Sequence, residues 1–139
     1  MAAYTIEIRD YFNALQYNHI GTQLFDISKT SGFSRLMDKA KFMIRCSLPI
    51  KCLEAVIIAM YLTSFIPKLT RFPITFKSVS NGQAFYHIVL GVHYEGQFGA
   101  IGFSRRVDLM DKPLVYNNLS TLIKGGAKIE IYNFSVQTF

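Results

Sequence analysis

The sequence predicts an α+β fold in which N-terminal helices pack on an antiparallel β-meander. Two observations support this class. Residues 6–63 show the apolar spacing of helices, whereas residues 72–103 are rich in aromatic and β-branched residues and contain two glycine turns. The chain has 139 residues, half of them hydrophobic, which suits a single domain over residues 1–139 with its own core.

Three helices are predicted in the N-terminal half. Residues 6–15 form a short amphipathic helix, and residues 34–45 form a second one with Ser34 as its N-cap. The third, residues 49–63, is apolar almost all round, which indicates a central helix covered on most sides. We expect Pro49 as its first residue, because the fixed φ of proline suits a helix start and its missing N–H is not needed there.

Three strands are predicted next, at residues 72–79, 84–93 and 97–103. The turns at residues 80–82 and 94–97 contain Asn-Gly and Glu-Gly, so consecutive strands should form antiparallel hairpins. The remaining predicted elements are a short helix at 104–110, a turn at 111–113, a short helix at 118–123 and a last strand at 128–134.

Composition limits the possible classes of function. The two cysteines, Cys46 and Cys52, form neither a disulfide framework nor a zinc motif, and we predict no metal and no cofactor. The sequence shows no signal pattern and no run of membrane-spanning length, which fits a reducing intracellular compartment. The net charge of +6 would attract an acidic partner. No nucleic-acid-binding motif is present, so we do not expect nucleic acid as that partner. We do not expect a membrane as that partner either.

Cys52 is the first candidate for chemistry, because it lies in the first turn of the apolar helix. The partial positive charge of a helix start favours a thiolate, and Lys51 adds a full positive charge beside it. A thiolate is the nucleophilic form of cysteine. The alternative is that Cys52 is one more buried apolar residue, as free cysteines often are.

A nucleophilic cysteine needs a base, and the chain has three histidines. His19 lies in a turn with no helix or strand to fix it, and His93 ends the second strand. His87 lies within that strand and therefore faces either the core or a cleft. A cysteine on a helix against a histidine on a strand is the arrangement of papain-like and transglutaminase-like enzymes. No acidic or amide side chain follows on the next strand, where the nearest polar residue is Ser104.

Five segments between about Leu15 and Ile123 carry a family resemblance. They are residues 16–23 (QYNHIGTQ), 47–56 (SLPIKCLEAV), 71–74 (RFPI), 87–91 (HIVLG) and 104–114 (SRRVDLMDKPL). Together they resemble the vasohibins, which are tubulinyl-tyrosine carboxypeptidases of the transglutaminase-like cysteine protease type. The resemblance implies a papain-like core in which the cysteine-bearing helix packs on the meander.

The resemblance also implies a set of site residues. Cys52 falls on the family's nucleophile, His87 on its general base, and Ser104 on the residue whose carbonyl or hydroxyl orients the histidine. Tyr17, Lys51 and Arg105 fall on the positions that hold the terminal carboxylate of the substrate. Arginine offers a planar fork to a carboxylate, lysine a point charge and tyrosine a hydroxyl donor.

The implied function is removal of the C-terminal tyrosine from the acidic tail of α-tubulin, in the cytoplasm and in association with microtubules. The alternative is a catalytically weak vasohibin-like protein that binds microtubules or a helical partner. Relative to the family the chain is shorter at both ends. Because the family's small vasohibin-binding protein contacts an upstream helical region, the sequence leaves that partnership open.

Overall fold

The computed structural model describes residues 2–27, 32–104 and 112–124. It contains helices and a four-stranded antiparallel sheet with strands in the order of the sequence, which confirms the α+β class. The elements are α1 (Ala2–Leu15), α2 (Phe33–Cys46), α3 (Cys52–Leu62), β1 (Thr70–Ser80), β2 (Gln83–Tyr94), β3 (Gln97–Ile101), β4 (Lys112–Tyr116) and α4 (Leu119–Lys124). The predicted strand at 128–134, and the predicted helix at 104–110 from residue 105 onwards, lie outside the described residues.

Two hairpins connect the first three strands, as the turn residues predict. Asn81 and Gly82 both have positive φ, as do Glu95 and Gly96, which is the conformation of a two-residue turn that matches the twist of the flanking strands. The strand pairs run without a shift from Thr70↔His93 to Ser80↔Gln83 and from Leu90↔Ile101 to Tyr94↔Gln97.

Helix α3 begins three residues later than predicted. Lys51 is its N-cap, with extended φ and ψ of −109° and −176°, and Cys52 is its first residue. The cause is a parallel bridge between Tyr17 and Ile50, in which Ile50 donates to the carbonyl of Gln16 at 3.1 Å and accepts from the amide of Asn18 at 2.8 Å. This pairing keeps residue 50 extended, so the expectation that Pro49 starts the helix was wrong.

Other boundaries also differ from the sequence prediction. Helix α1 begins at Ala2, four residues before its predicted start. Helix α2 begins at Phe33 with Gly32 as its N-cap, so Ser34 is not the cap. Pairing of β3 ends at Ile101 rather than at residue 103. The predicted turn at 111–113 overlaps β4, which contains Pro113. Proline is tolerated there because β4 is the edge strand of the sheet that the described residues form, and one side of an edge strand needs no donors.

The sheet separates two apolar clusters, one on each face. On one face, Leu90 and Val92 of β2 pack with α1, α2 and α3 in the main core. On the other face, Val89 and Ala100 pack with Leu122 of α4. Helix α3 is buried from Glu54 to Met60, as its all-round apolar character predicts. In the described part of the chain, no helix has the length and hydropathy needed to cross a membrane.

Candidate active site

Cys52, at the start of α3, lies next to the middle of β2. Its side chain is partly buried, and the backbone amides of Ile88, Leu53 and Cys52 itself face the sulfur closely enough to lower its pKa. Ile88 is the residue after His87. The thiol is therefore next to the main chain that carries the predicted base, although the two come from elements that are distant in sequence.

The protonation of Cys52 differs from the sequence expectation. Burial raises the pKa of the thiol above its ordinary value, and the Glu54 carboxylate raises it further, while the three backbone amides lower it. Burial outweighs the amides of the helix start because removing a thiolate from water is costly. The expectation of a low thiol pKa was therefore wrong for this state of the protein, in which Cys52 rests as the protonated thiol.

The amide of Ile88 is open to the thiol because the pairing between β2 and β3 stops before it. The pair Tyr94↔Gln97 flanks a two-residue turn and is therefore hydrogen-bonded, and such pairs alternate along an antiparallel ladder. The backbone groups of every second residue before Tyr94 point toward β3, and Ile88 is one of these residues. The last residue of β3 that pairs with β2 is Ile101, opposite Leu90. The amide of Ile88 lies beyond the paired segment, where the thiol can approach it.

His87 is partly buried on the face of β2 that also carries Val89. Its ring stacks on that of Phe76, its cross-strand partner, with centroids 6.3 Å apart and planes 17° apart. Since Leu90 faces α3, alternation puts the His87 side chain on the opposite face from the helix. The imidazole thus lies on the face of β2 away from the helix that carries the thiol, and direct contact between the two groups stays a prediction.

Ser104 lies three residues after Ile101, the last residue of β3 that pairs with β2. A Cβ built on Gly102 would lie 2.6 Å from Cγ1 of Val89, so Gly102 keeps the cross-strand position that the β2–β3 register assigns to it. The ring of Phe103, the residue before Ser104, contacts the ring of Tyr17. That Ser104 orients the imidazole of His87 stays a prediction.

Tyr17 is brought to the site by its bridge to Ile50, which adjoins Lys51. Its ring lies between His19, at 5.1 Å, and Phe103, at 5.6 Å between centroids. Phe103 directly precedes Ser104, so Tyr17 contacts both sides of the site. Lys51 is partly buried beside it, as the N-cap of α3.

Asn18 shapes the turn that carries Tyr17. The side chain of Asn18 is buried; its Oδ1 accepts from the amide of Ile20 at 3.0 Å, and its Nδ2 donates to the carbonyl of Thr22 at 3.1 Å. These two bonds close a side-chain turn of the kind that asparagine favours. They hold residues 18–22 in place and leave His19 exposed against the Tyr17 ring.

Of the predicted site residues, Tyr17, Lys51 and Cys52 meet at the start of α3. Cys52 lies against the segment of β2 that carries His87, and Ser104 follows Phe103, whose ring contacts Tyr17. Arg105 lies outside the described residues. His93 stacks on Phe98 at the other end of β2, about 20 Å from His87 at 3.3 Å per residue.

Sequence reasoning missed two residues of this region, His19 and Glu54. His19 was set aside because it lies in a turn, yet the Asn18 side chain fixes that turn. Glu54 stands three residues after the N-cap of α3, the position from which an acidic side chain reaches back to the helix start. That spacing is visible in the sequence once the cap is placed at Lys51. Among the described residues, no group of three His, Cys, Asp or Glu side chains could hold a metal ion.

Comparison with known proteins gives two matches. A sequence model of the family described as Vasohibin matches residues 1–133. The mouse protein named "Tubulinyl-Tyr carboxypeptidase 1" is 53% identical over 116 residues, which cover 84% of this chain and 31% of the mouse protein. The chain thus spans about a third of the length of this relative.

Proposed function

This chain belongs to the vasohibin family, and we propose that it is a cysteine carboxypeptidase that removes the C-terminal tyrosine of α-tubulin. The observation that carries the proposal is the meeting of Cys52, at a helix start, with the strand segment that holds His87. The similarity to a relative named for tubulinyl-tyrosine carboxypeptidase activity supplies the substrate. The net charge of +6 suits an acidic tail on a negatively charged polymer.

In the proposed reaction, His87 accepts the thiol proton as the sulfur of Cys52 attacks the carbonyl carbon of the last peptide bond. The C–N bond breaks, the amine of the released tyrosine takes the proton from the imidazolium, and a thioester remains on Cys52. His87 then deprotonates a water molecule that hydrolyses the thioester and restores the thiol. The raised thiol pKa makes this base necessary in every turnover, because the resting enzyme holds little thiolate.

Ser104 would orient the imidazole of His87 without contributing a negative charge. A neutral partner stabilises an imidazolium less than a carboxylate does. The three amides that face the sulfur compensate in part, because they act on the thiolate as it forms.

Recognition of the substrate's C-terminus is assigned to Tyr17, Lys51 and Arg105. The bridge between Tyr17 and Ile50 supports the first two, since it places a hydroxyl and an ammonium on adjacent segments beside Cys52. A pair of donors next to the nucleophile suits a carboxylate one residue beyond the scissile bond. An endopeptidase would have no use for this charge arrangement.

One observation favours a second candidate, a catalytically weak protein that binds microtubules or the small vasohibin-binding protein. Burial of the Cys52 thiol reduces its reactivity in the isolated chain. A partner that reshaped the cleft could change this burial, so both candidates require the assay with and without the partner.

The test is mass spectrometry of an α-tubulin tail peptide incubated with the protein, alone and together with the small vasohibin-binding protein. We expect loss of one tyrosine from the peptide, abolished by Cys52→Ala and retained in the matched variant Cys46→Ala. Cys46 lies at the C-terminal end of α2 and not at the site. Absence of tyrosine release in both arms would contradict the proposal, and equal loss of activity in the two variants would mean that the nucleophile is wrongly assigned.

A further inference from the structure

Glu54 is an unusual residue for the buried first turn of an apolar helix. Its relative exposure is 1%, and in the described part of the chain it is the only buried residue with a carboxyl side chain. Its neighbours in α3 from Ala55 to Met60 are all apolar and buried. Burying a carboxylate costs several kcal/mol unless hydrogen bonds and charges compensate. A glutamate retained at this position therefore calls for a physical role.

One carboxylate oxygen has a partner and the other has none. Oε2 accepts from the backbone N–H of Lys51 at 3.2 Å, which satisfies one donor at the helix start. No donor among the described residues lies within hydrogen-bonding distance of Oε1. The carboxylate is thus tied to the main chain immediately before Cys52 and keeps a second acceptor within the same first turn.

We propose that Glu54 is a positioning residue, a buried acidic side chain that anchors the Lys51 main chain and sets the electrostatic environment of the Cys52 thiol. It acts through Cys52 rather than on a substrate. By holding Lys51 extended, it directs the first residue of α3 toward Ile88. By its charge it opposes deprotonation of the thiol, so that the thiolate forms when a base and a substrate are in place. The inference deepens the proposed function, on which its catalytic consequence rests.

The other ionisable groups around α3 set the background for this effect. Lys51 is the N-cap of α3, Tyr17 bridges to the residue before Lys51, and His87 precedes Ile88 on β2. Contacts with residues of α3 further along are made by Tyr4 of α1, Lys41 of α2 and Arg71 of β1. Among the described residues, Glu54 is the one whose charge raises the thiol pKa of Cys52. Removing that charge should therefore act on Cys52 directly.

The test measures alkylation of Cys52 by iodoacetamide as a function of pH, in a Cys46→Ala background that leaves one thiol. Glu54→Gln keeps an acceptor for the Lys51 amide and removes the charge. We expect its alkylation midpoint to fall by roughly half a pH unit, so that the rate at pH 7 rises about threefold. The melting temperature should stay close to that of the parent.

Glu54→Ala separates the hydrogen bond from the charge. It removes the acceptor as well, so its melting temperature should fall by several degrees below that of Glu54→Gln. The matched control is Glu95→Gln, in the turn after β2 and about 23 Å along the strand from Ile88. It should leave the alkylation midpoint and the melting temperature unchanged.

Three results would overturn the inference: an unchanged midpoint in Glu54→Gln, the same shift in Glu95→Gln, or equal melting temperatures for Glu54→Gln and Glu54→Ala. The first two would remove the electrostatic role of Glu54, and the third would remove its anchoring of Lys51. Alkylation of Cys52 needs no tubulin, so this experiment tests the role of Glu54 even if the protein does not release tyrosine. If tyrosine is released, the pH at which kcat is half-maximal should shift in Glu54→Gln in the same direction as the alkylation midpoint.

Discussion

A methyl group added at Gly102 tests the contact of Gly102 with Val89, which extends the β2–β3 register one residue beyond its last pair. A Cβ at this position would lie 2.6 Å from Cγ1 and 3.1 Å from Cβ of Val89, distances that a packed interior cannot accept without movement. Overpacking of this kind costs about 1–3 kcal/mol of unfolding free energy. Gly102→Ala should therefore destabilise the protein by that amount in urea denaturation. Gly21→Ala, where no atom lies within 4 Å of the added Cβ, is the matched control and should change stability by less than about 0.5 kcal/mol.

The double variant makes the prediction specific to this contact. Val89→Ala alone removes two buried methyl groups and should cost about 1.5–2.5 kcal/mol. It also removes the Cγ1 atom that the new methyl group would strike, so the combined loss in Gly102→Ala/Val89→Ala should fall short of the sum by at least about 1 kcal/mol. Strict additivity would mean that Gly102 and Val89 are not neighbours across the strands, and that the β2–β3 register does not extend beyond Ile101.

The remaining predictions concern the thiol of Cys52 and the residues assigned to the substrate's terminal carboxylate. Because burial raises the pKa of Cys52, its alkylation rate should still be rising above the pH at which an exposed thiol levels off; a plateau at or below neutral pH would refute the burial argument. Tyr17→Phe keeps the ring against Phe103 but removes the hydroxyl, so KM for a tail peptide should rise about tenfold with a smaller change in kcat; a change confined to kcat would place the hydroxyl elsewhere. Arg105→Ala should weaken cleavage by roughly 2–3 kcal/mol, and amidation of the substrate's C-terminus should then have little further effect. Simple addition of these two losses would remove Arg105 as the carboxylate receptor.

The fold was predictable where local pattern decides it. The all-round apolar run after Cys52 predicts a central helix, and the Asn81-Gly82 and Glu95-Gly96 turns predict the hairpins. These signals are carried by neighbours in sequence. The register of β2 then follows from the turns alone, because a two-residue turn leaves one possible alignment of the flanking strands.

The prediction failed where distant segments pair. Nothing near Pro49 indicates that Ile50 bridges to Tyr17, yet that bridge delays the start of α3 to Cys52. Pro113 predicted a turn, whereas the edge position of β4 accommodates it.

The site shows the same division. The sequence indicated a candidate cysteine on a helix, Cys52, and a candidate histidine on a strand, His87. The family resemblance supplied the roles of nucleophile and base. The sign of the thiol's pKa shift was wrong because it depends on how deeply Cys52 is buried, a property of packing. Glu54 was missed because its spacing becomes a capping signal once Lys51 is known to be the cap.

Covalent labelling with a peptide that carries an epoxide at the scissile position and a free C-terminal carboxylate tests the central claim most directly. The account predicts that peptide mapping finds the label on Cys52, that His87→Ala slows labelling strongly, and that amidation of the probe does the same. Label on Cys46, or labelling of Cys52 that is indifferent both to His87 and to the probe's carboxylate, would contradict it.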